Sequence, residues 1–581
     1  MTWYVGLSDG DGIIALREGA QQRRSPRLRL GLCPDYIPGL AANFTAACGR
    51  QRAGVRGSRK EFGVIPTVEG IAIRSRLPHV AAFWDNACLK LPNAPACTYA
   101  GRTCSFAQMD TFIAGLAGRL RDEAGVERGD RVAIAMPNCG AYLTAYWAAL
   151  RLGAVVVPVN IKLRAGELAY VLGNAEPKVI FLHEQVADAV TKAAAEAEVS
   201  AHVISVASDA DGPQVLCPSD TESVARTCPE LCGEDIAIIL YTSGTTGQPK
   251  GAIMRHEDLL FNVHNAILAH SFRHEDVHLL AIPFSAPTAT YSLLPSCAYL
   301  ASEIVIAPQP YPGELFDLID AHGCTTFIGV PTLFHLVTQD PRLAEADLSS
   351  LRLIAYSGSP MPARTITNLR RRFPRVVLHN FFGLTETISM THVLAGPDAV
   401  EKPDSIGKAL PEIYTRIVDD ADNDVAVGEV GELCFRRDNV IVGYWRREGQ
   451  LEEAIKDGWF HTGDFASSDE DGYLYVQGRK KDMIIVAGQN VYALEVEKVI
   501  LRNAEVREVA VIGIEATGAR AALGELVKAV VVPQPGANLT ELDIKRHCAA
   551  QLPSYKVPQV VTFSEELPKN AAGKVLKREL R

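Results

Sequence analysis

Tyr241-Thr-Ser-Gly-Thr-Thr-Gly-Gln-Pro-Lys250-Gly251 is entered from an apolar run at residues 236–240, and its reading decides the fold. Two glycines, four hydroxyl side chains (Thr242, Ser243, Thr245, Thr246) and Lys250 fall within ten residues. Gly244 and Gly247 permit backbone angles that turn successive N–H groups toward one anion, the hydroxyls add donors and Lys250 adds a point charge. A strand running into such a loop is how α/β folds cradle phosphate groups. The stretch is not a Walker A sequence, because Pro249 stands where that pattern needs a glycine before the lysine.

Working outward, apolar segments alternate with helical ones. Residues 106–123 carry a helical period, 131–136 (Arg-Val-Ala-Ile-Ala-Met) read as a buried strand, 142–152 as a helix and 154–158 (Ala-Val-Val-Val-Pro) as a strand. Short apolar runs at 179–182 and 202–206 flank an Ala-rich helix at 186–197. Strand–helix alternation predicts βαβ units around a parallel sheet, and it resumes from 235 to about 400. After Ile406 the texture becomes short alternating segments with Gly-rich turns, such as 428–435 and 472–476, which predict antiparallel strands. Beyond Asp482, helices at 495–502 and 541–551 predict a small α+β unit. No internal repeat or low-complexity tract occurs.

Composition bounds the function. Apolar residues make up 48% of the 581 and charged residues 22%, the profile of a chain with sizeable cores. Lys+Arg 58 against Asp+Glu 68 gives a net charge of -10, which argues against a nucleic-acid partner. Residues 1–76 are the exception, with twelve Arg or Lys against six Asp or Glu; they show no sustained period and read as a basic, disordered extension. The thirteen cysteines form no CxxC pair, which predicts reduced thiols and a cytoplasmic location. The most apolar long stretch, 132–159, is interrupted by Pro137, Asn138 and Arg151, so no integral membrane segment is expected.

Four more segments follow the loop: Asn380-Phe-Phe-Gly-Leu-Thr-Glu386-Thr, Trp459-Phe-His-Thr-Gly-Asp464, Gly478-Arg479-Lys-Lys481-Asp482 and Pro568-Lys-Asn-Ala-Ala-Gly-Lys574. In this order the five resemble the adenylate-forming superfamily of acyl-CoA synthetases, luciferase-like enzymes and peptide-synthetase adenylation domains. The resemblance covers about residues 78–581. It implies a large N-terminal domain of doubly wound α/β subdomains with a small β-barrel-like part, and a small mobile α+β C-terminal domain. The expected boundaries are 1–76 for the extension, 77–478 for the AMP-binding domain, 479–482 for a hinge and 483–581 for a lid.

The resemblance also implies a reaction. A carboxylic acid and ATP give acyl-AMP and pyrophosphate, and coenzyme A then takes the acyl group. Thr242, Ser243, Gly244, Thr245, Thr246, Gly247 and Lys250 are expected over the β- and γ-phosphates. Phe382 is expected on the adenine face, Asn380 at its edge, and Ser357, Gly358, Ser359, Phe381 and Gly383 beside the nucleotide. Thr385 is assigned to the α-phosphate, Glu386 to Mg²⁺, and Asp464 to the ribose hydroxyls with Arg479 in support. Lys574 is expected to bridge the attacking carboxylate and the α-phosphate. Lys481 matches the hinge, and 488–492 is expected to line a second, thioester-forming conformation.

The acid is less defined. Its pocket is expected from residues 283–290, 329–332, 357–360 and Phe381. Residues 284–290 (Phe-Ser-Ala-Pro-Thr-Ala-Thr) lack the aromatic-or-His then Gly pattern of many acyl-CoA synthetases, and lack the Asp that amino-acid-activating domains use. An apolar fatty or aryl acid is expected, with a lean to fatty. The alternatives are delivery to a separate carrier-protein thiol, since the chain ends just after the Lys574 segment, or a catalytically silent nucleotide-binding homologue. Lys250, Glu386, Asp464, Arg479 and Lys574 are all present, which speaks against silence.

Overall fold

The computed structural model describes residues 79–581 except 209, 217–226, 229, 243–247 and 572. The basic extension expected at 1–76, and Ser243, Gly244, Thr245, Thr246 and Gly247 of the phosphate loop, therefore lie outside the described residues.

The α/β expectation holds. A six-stranded sheet has the spatial order His202–Val206, Val179–His183, Arg131–Ala135, Val155–Pro158, Ile236–Thr242, Lys250–Arg255. It is parallel except for its last pair. Its apolar strands hide a period of two. Val132 and Ile134 join one hydrophobic cluster while Ala133 and Ala135 join another, because a strand covered on both faces must be apolar on both.

A nine-stranded sheet carries the strand Val377–Phe382 next to Leu353–Tyr356, in parallel register with Tyr356 opposite Asn380. Loops leaving neighbouring parallel strands gather at the carboxyl edge, where α/β sheets bind ligands. That edge receives Ser357–Ser359 from one strand and Gly383–Glu386 from the next.

The part expected to be barrel-like is a five-stranded antiparallel sheet built on Trp459–Ser468, which pairs with Gly431–Arg436 on one side and Leu474–Arg479 on the other. A 3₁₀ turn at Lys480–Asp482 follows. The hairpin Met483–Val486/Gln489–Tyr492, helices Ala493–Leu501 and Glu541–Ala549, and a three-stranded sheet then close over a separate cluster centred on Ile484, Val496, Val527 and Ile544. Among the described residues no helix is long and apolar enough to cross a membrane.

Candidate active site

The antiparallel pair Ile236–Thr242/Lys250–Arg255 sets Thr242 directly opposite Lys250, so both ends of the phosphate loop leave one point of the sheet. The Lys250 ammonium lies 4.9 Å from the centroid of the Tyr444 ring, within cation–π range. The Tyr444 hydroxyl donates to Glu386 Oε1 at 2.9 Å.

Strand alternation separates the aromatic pair expected at the nucleotide. Phe381 is buried and packs edge-on to the His270 ring at 5.1 Å, whereas Phe382 is half-exposed and meets the His392 ring at 6.2 Å. Phe382 can thus offer a face to a base, while the ring of Phe381 belongs to the core. Asn380 donates from Nδ2 to Ser405 O at 2.8 Å, a partner that fixes its orientation. After Phe382 the chain doubles back so tightly that a methyl group at Gly383 would lie 1.3 Å from Ser389 O. That return exposes Thr385 and Glu386 partially, and Ile441 N donates to Glu386 O at 2.9 Å. Gly358 takes φ +92° between Ser357 and Ser359, a conformation open to glycine.

Asp464 and Arg479 are register partners across adjacent strands, and Arg479 Nε lies 2.6 Å from Asp464 Oδ1. Asp464 is 4% exposed. Burial pushes its carboxyl up to about 6 against the opposing pull of Arg479 and Lys574, with Glu386 and Glu432 adding repulsion. Lys574 is held in a hairpin: Asn570 N donates to Lys574 O, and Lys574 N to Asn570 Oδ1, both at 2.9 Å. Asn160 Nδ2 donates to Ala571 O at 3.2 Å, tying this hairpin to the six-stranded part of the molecule. Although Lys574 is exposed by total area, enough protein surrounds its ammonium that desolvation lowers its proton affinity. Arg479 adds to that lowering, and Glu386 and Asp464 oppose it. Lys481 is lowered likewise by desolvation, with both Arg479 and Lys574 among the charges it feels.

The structure therefore brings Glu386, Asp464, Arg479, Lys481 and Lys574 into one electrostatically coupled group, with Lys250 reaching Glu386 through Tyr444. Several positions of the expected acid pocket are closely packed. Phe284 is buried against the Tyr142 ring at 5.2 Å, Thr290 is fully buried, and behind Gly329 a methyl group would meet Phe334 at 3.0 Å. A cleft of about 400 Å³ beyond Ile388, lined by Arg255, Asp258, Phe261, Tyr414 and Arg436, holds none of the expected site residues. Tyr444, Ser405, Glu432 and Lys480 were missed by sequence reasoning. Glu432 accepts from Gly463 N at 3.0 Å and sits 3.3 Å from the Lys480 ammonium. Gly443-Tyr-Trp445 is a visible aromatic pair, yet nothing local links it to Glu386, 58 residues away.

The family model described as AMP-binding enzyme matches residues 84–445, and that described as AMP-binding enzyme C-terminal domain matches residues 495–574. A protein of Amycolatopsis named feruloyl-CoA synthase is 34% identical over 497 residues, covering 84% of this chain and 96% of the relative. One of Salmonella typhimurium named long-chain-fatty-acid–CoA ligase is 33% identical over 543 residues, covering 87% and 94%. The solved structure of ATP-bound MatB from Rhodopseudomonas palustris superposes with a TM-score of 0.76 at 30% identity, over 86% of this chain and 98% of that one. The chain belongs to the AMP-binding enzyme family. Within it, these curated relatives, which match along nearly their whole lengths, are acid–CoA ligases.

Proposed function

We infer that the chain, an acid–CoA ligase, activates an apolar carboxylic acid with ATP in two steps. The substrate carboxylate attacks the α-phosphorus, the bond to the bridging oxygen breaks, and pyrophosphate leaves with the electron pair. The thiol of coenzyme A then attacks the acyl carbon, loses its proton and displaces AMP. No side-chain nucleophile is needed, so the protein's work is positioning and charge stabilisation.

What supports this reading is the convergence of separate motif segments: Arg479 Nε lies 2.6 Å from Asp464 Oδ1, and Lys250 reaches Glu386 through the ring and hydroxyl of Tyr444. Asp464 in its ionised form accepts from ribose hydroxyls, Arg479 holds it, and Phe382 offers a face to the base. The outer phosphates are assigned to Thr242, Ser243, Gly244, Thr245, Thr246, Gly247 and Lys250 from their motif, and the α-phosphate to Thr385. Lys574 meets negative charge as it develops.

Among the described residues no three acidic, imidazole or thiol groups gather into a metal cage. A magnesium ion held by one carboxylate and the nucleotide's own phosphates needs none, and Glu386 suits it. When bound, the ion neutralises phosphate charge. Both aryl and fatty acids occur among the substrates named for the relatives. Small residues at 285–289 favour an acid with an apolar acyl group.

Incubation with ATP, Mg²⁺ and a panel of aryl and fatty acids, with and without coenzyme A, tests the reading. Acid-dependent pyrophosphate and acyl-CoA are expected. Pyrophosphate without acyl-CoA would point to a carrier thiol, and no pyrophosphate with any acid would refute the assignment.

A further inference from the structure

Tyr444 is the side chain that joins the two phosphate-facing elements of the site. Its backbone is strapped to the strand Lys250–Arg255: Ile253 N donates to Gly443 O at 3.1 Å, and Trp445 N to Gly251 O at 2.7 Å. The next side chain is pinned as well. Trp445 Nε1 donates to Asn174 O at 3.1 Å, and the Arg131 and Arg446 guanidinium groups lie 5.7 and 5.9 Å from its ring centroid. A ring held between two such anchors has little freedom, and Tyr444 itself is 8% exposed.

Its two ends meet opposite charges. The hydroxyl donates to Glu386 Oε1 at 2.9 Å, while the ring face takes the Lys250 ammonium at 4.9 Å. One carboxylate oxygen is thereby fixed in place by a donor, and its geminal partner is left for other ligands. The same strap also fixes the Glu386 backbone through Ile441 N.

We propose that Tyr444 is a positioning residue for the magnesium–nucleoside triphosphate: its hydroxyl orients the Glu386 carboxylate toward the cation, and its ring holds Lys250 close by until a triphosphate draws the ammonium away. This rests on the nucleotide reading given above. It assigns to a single tyrosine the alignment of the cation ligand with the lysine of the phosphate loop.

The test uses the full-length enzyme and three variants, Tyr444→Phe, Tyr444→Leu and Glu386→Gln, each checked for an unchanged melting transition. Calorimetry measures binding of ATP with Mg²⁺ and of ATP in chelator, and Mn²⁺ resonance titration measures the bound cation directly. Removing a hydrogen bond to a charged group predicts that Tyr444→Phe weakens Mg²⁺ or Mn²⁺ binding to the enzyme–ATP complex about tenfold, with metal-free ATP binding unchanged. Tyr444→Leu, which loses the ring as well, is expected to show the cation defect and in addition a changed affinity for metal-free ATP, because Lys250 is released. A cation shift in Glu386→Gln but none in Tyr444→Phe overturns the role of Tyr444 alone. No shift in Glu386→Gln overturns the cation assignment at Glu386 and the proposal with it. Equal weakening of ATP with and without metal in Tyr444→Phe also overturns it, because that is the signature of a merely structural ring.

Discussion

Asp464 shows how burial shapes this site residue by residue. An exposed aspartate titrates near 3.9, and here the folded value is about 6. Between those values the folded chain holds a proton that the unfolded chain has released, so this group's contribution to stability falls as pH rises from about 4 through 6. Ribose recognition has the opposite sense, because only the ionised carboxylate accepts both hydroxyl protons. ATP affinity, followed by calorimetry, is therefore expected to tighten as pH rises through about 6, and Asp464→Asn to abolish that titration while weakening binding above it. An unchanged pH profile in the variant would remove Asp464 from the ribose. Lys574 admits a sharper test. A unit charge at about 4 Å and an effective dielectric of 20 contributes about 4 kcal/mol, or roughly 10³-fold in rate if felt only in the transition state. Lys574→Ala is accordingly expected to abolish adenylation and to spare thioester formation from supplied acyl-AMP. Equal loss of both half-reactions would count against it.

At the scale of elements, the strand Leu474–Arg479 ends on the residue that holds Asp464, and the turn Lys480–Asp482 begins at once. Polar contacts and a ring pair, Phe465 with Tyr492 at 5.4 Å, join the last hundred residues to the rest of the chain. Arg502 lies 3.3 Å from Asp404 Oδ2, Lys498 Nζ donates to Asp404 O at 3.4 Å, and Arg364 NH1 donates to Ala504 O at 2.8 Å. If this arrangement belongs to adenylation, Asp404→Ala should slow pyrophosphate release roughly twofold to fivefold, the scale of an exposed ion pair, and leave the thioester step unchanged. Lys481→Pro, by fixing φ at the proposed pivot, should do the reverse and slow thioester formation from supplied acyl-AMP. Single-turnover assays of each half-reaction separate the two outcomes. The elements themselves were legible in the sequence because buried parallel strands are continuous apolar runs: 131–136 and 179–182 were read there and lie at Arg131–Ala135 and Val179–His183. Motif residues were legible because each motif is local. Tyr444 and Ser405 were not, since their partners Glu386 and Asn380 are set by packing between distant segments. Phe381 and Phe382 are adjacent residues of one strand and face opposite ways, so the Phe381 ring packs in the core beside His270 while Phe382 stays half-exposed.

For the molecule as a whole, the charge of -10 gave no hint of a site for polyanions. A handful of placed cations, Lys250, Arg479 and Lys574, matters more to the proposed nucleotide site than the average charge, because each stands in one of its motif segments. The basic residues at 1–76 lie outside every motif, and deleting residues 1–70 is expected to leave ligase turnover unchanged. A folded truncation without activity would contradict that. The pairing of Asp464 with Arg479 has a mechanical consequence. On the proposed reading, Arg479 holds the carboxylate that meets the nucleotide's sugar, and it is also the last bead before the thread that carries the final hundred residues. If the C-terminal part pivots there, as proposed, a tug on that thread loosens the clasp and an empty clasp slackens the thread. Departure of AMP and that swing then share one clock, and slowing either by mutation at this point should slow the other in step.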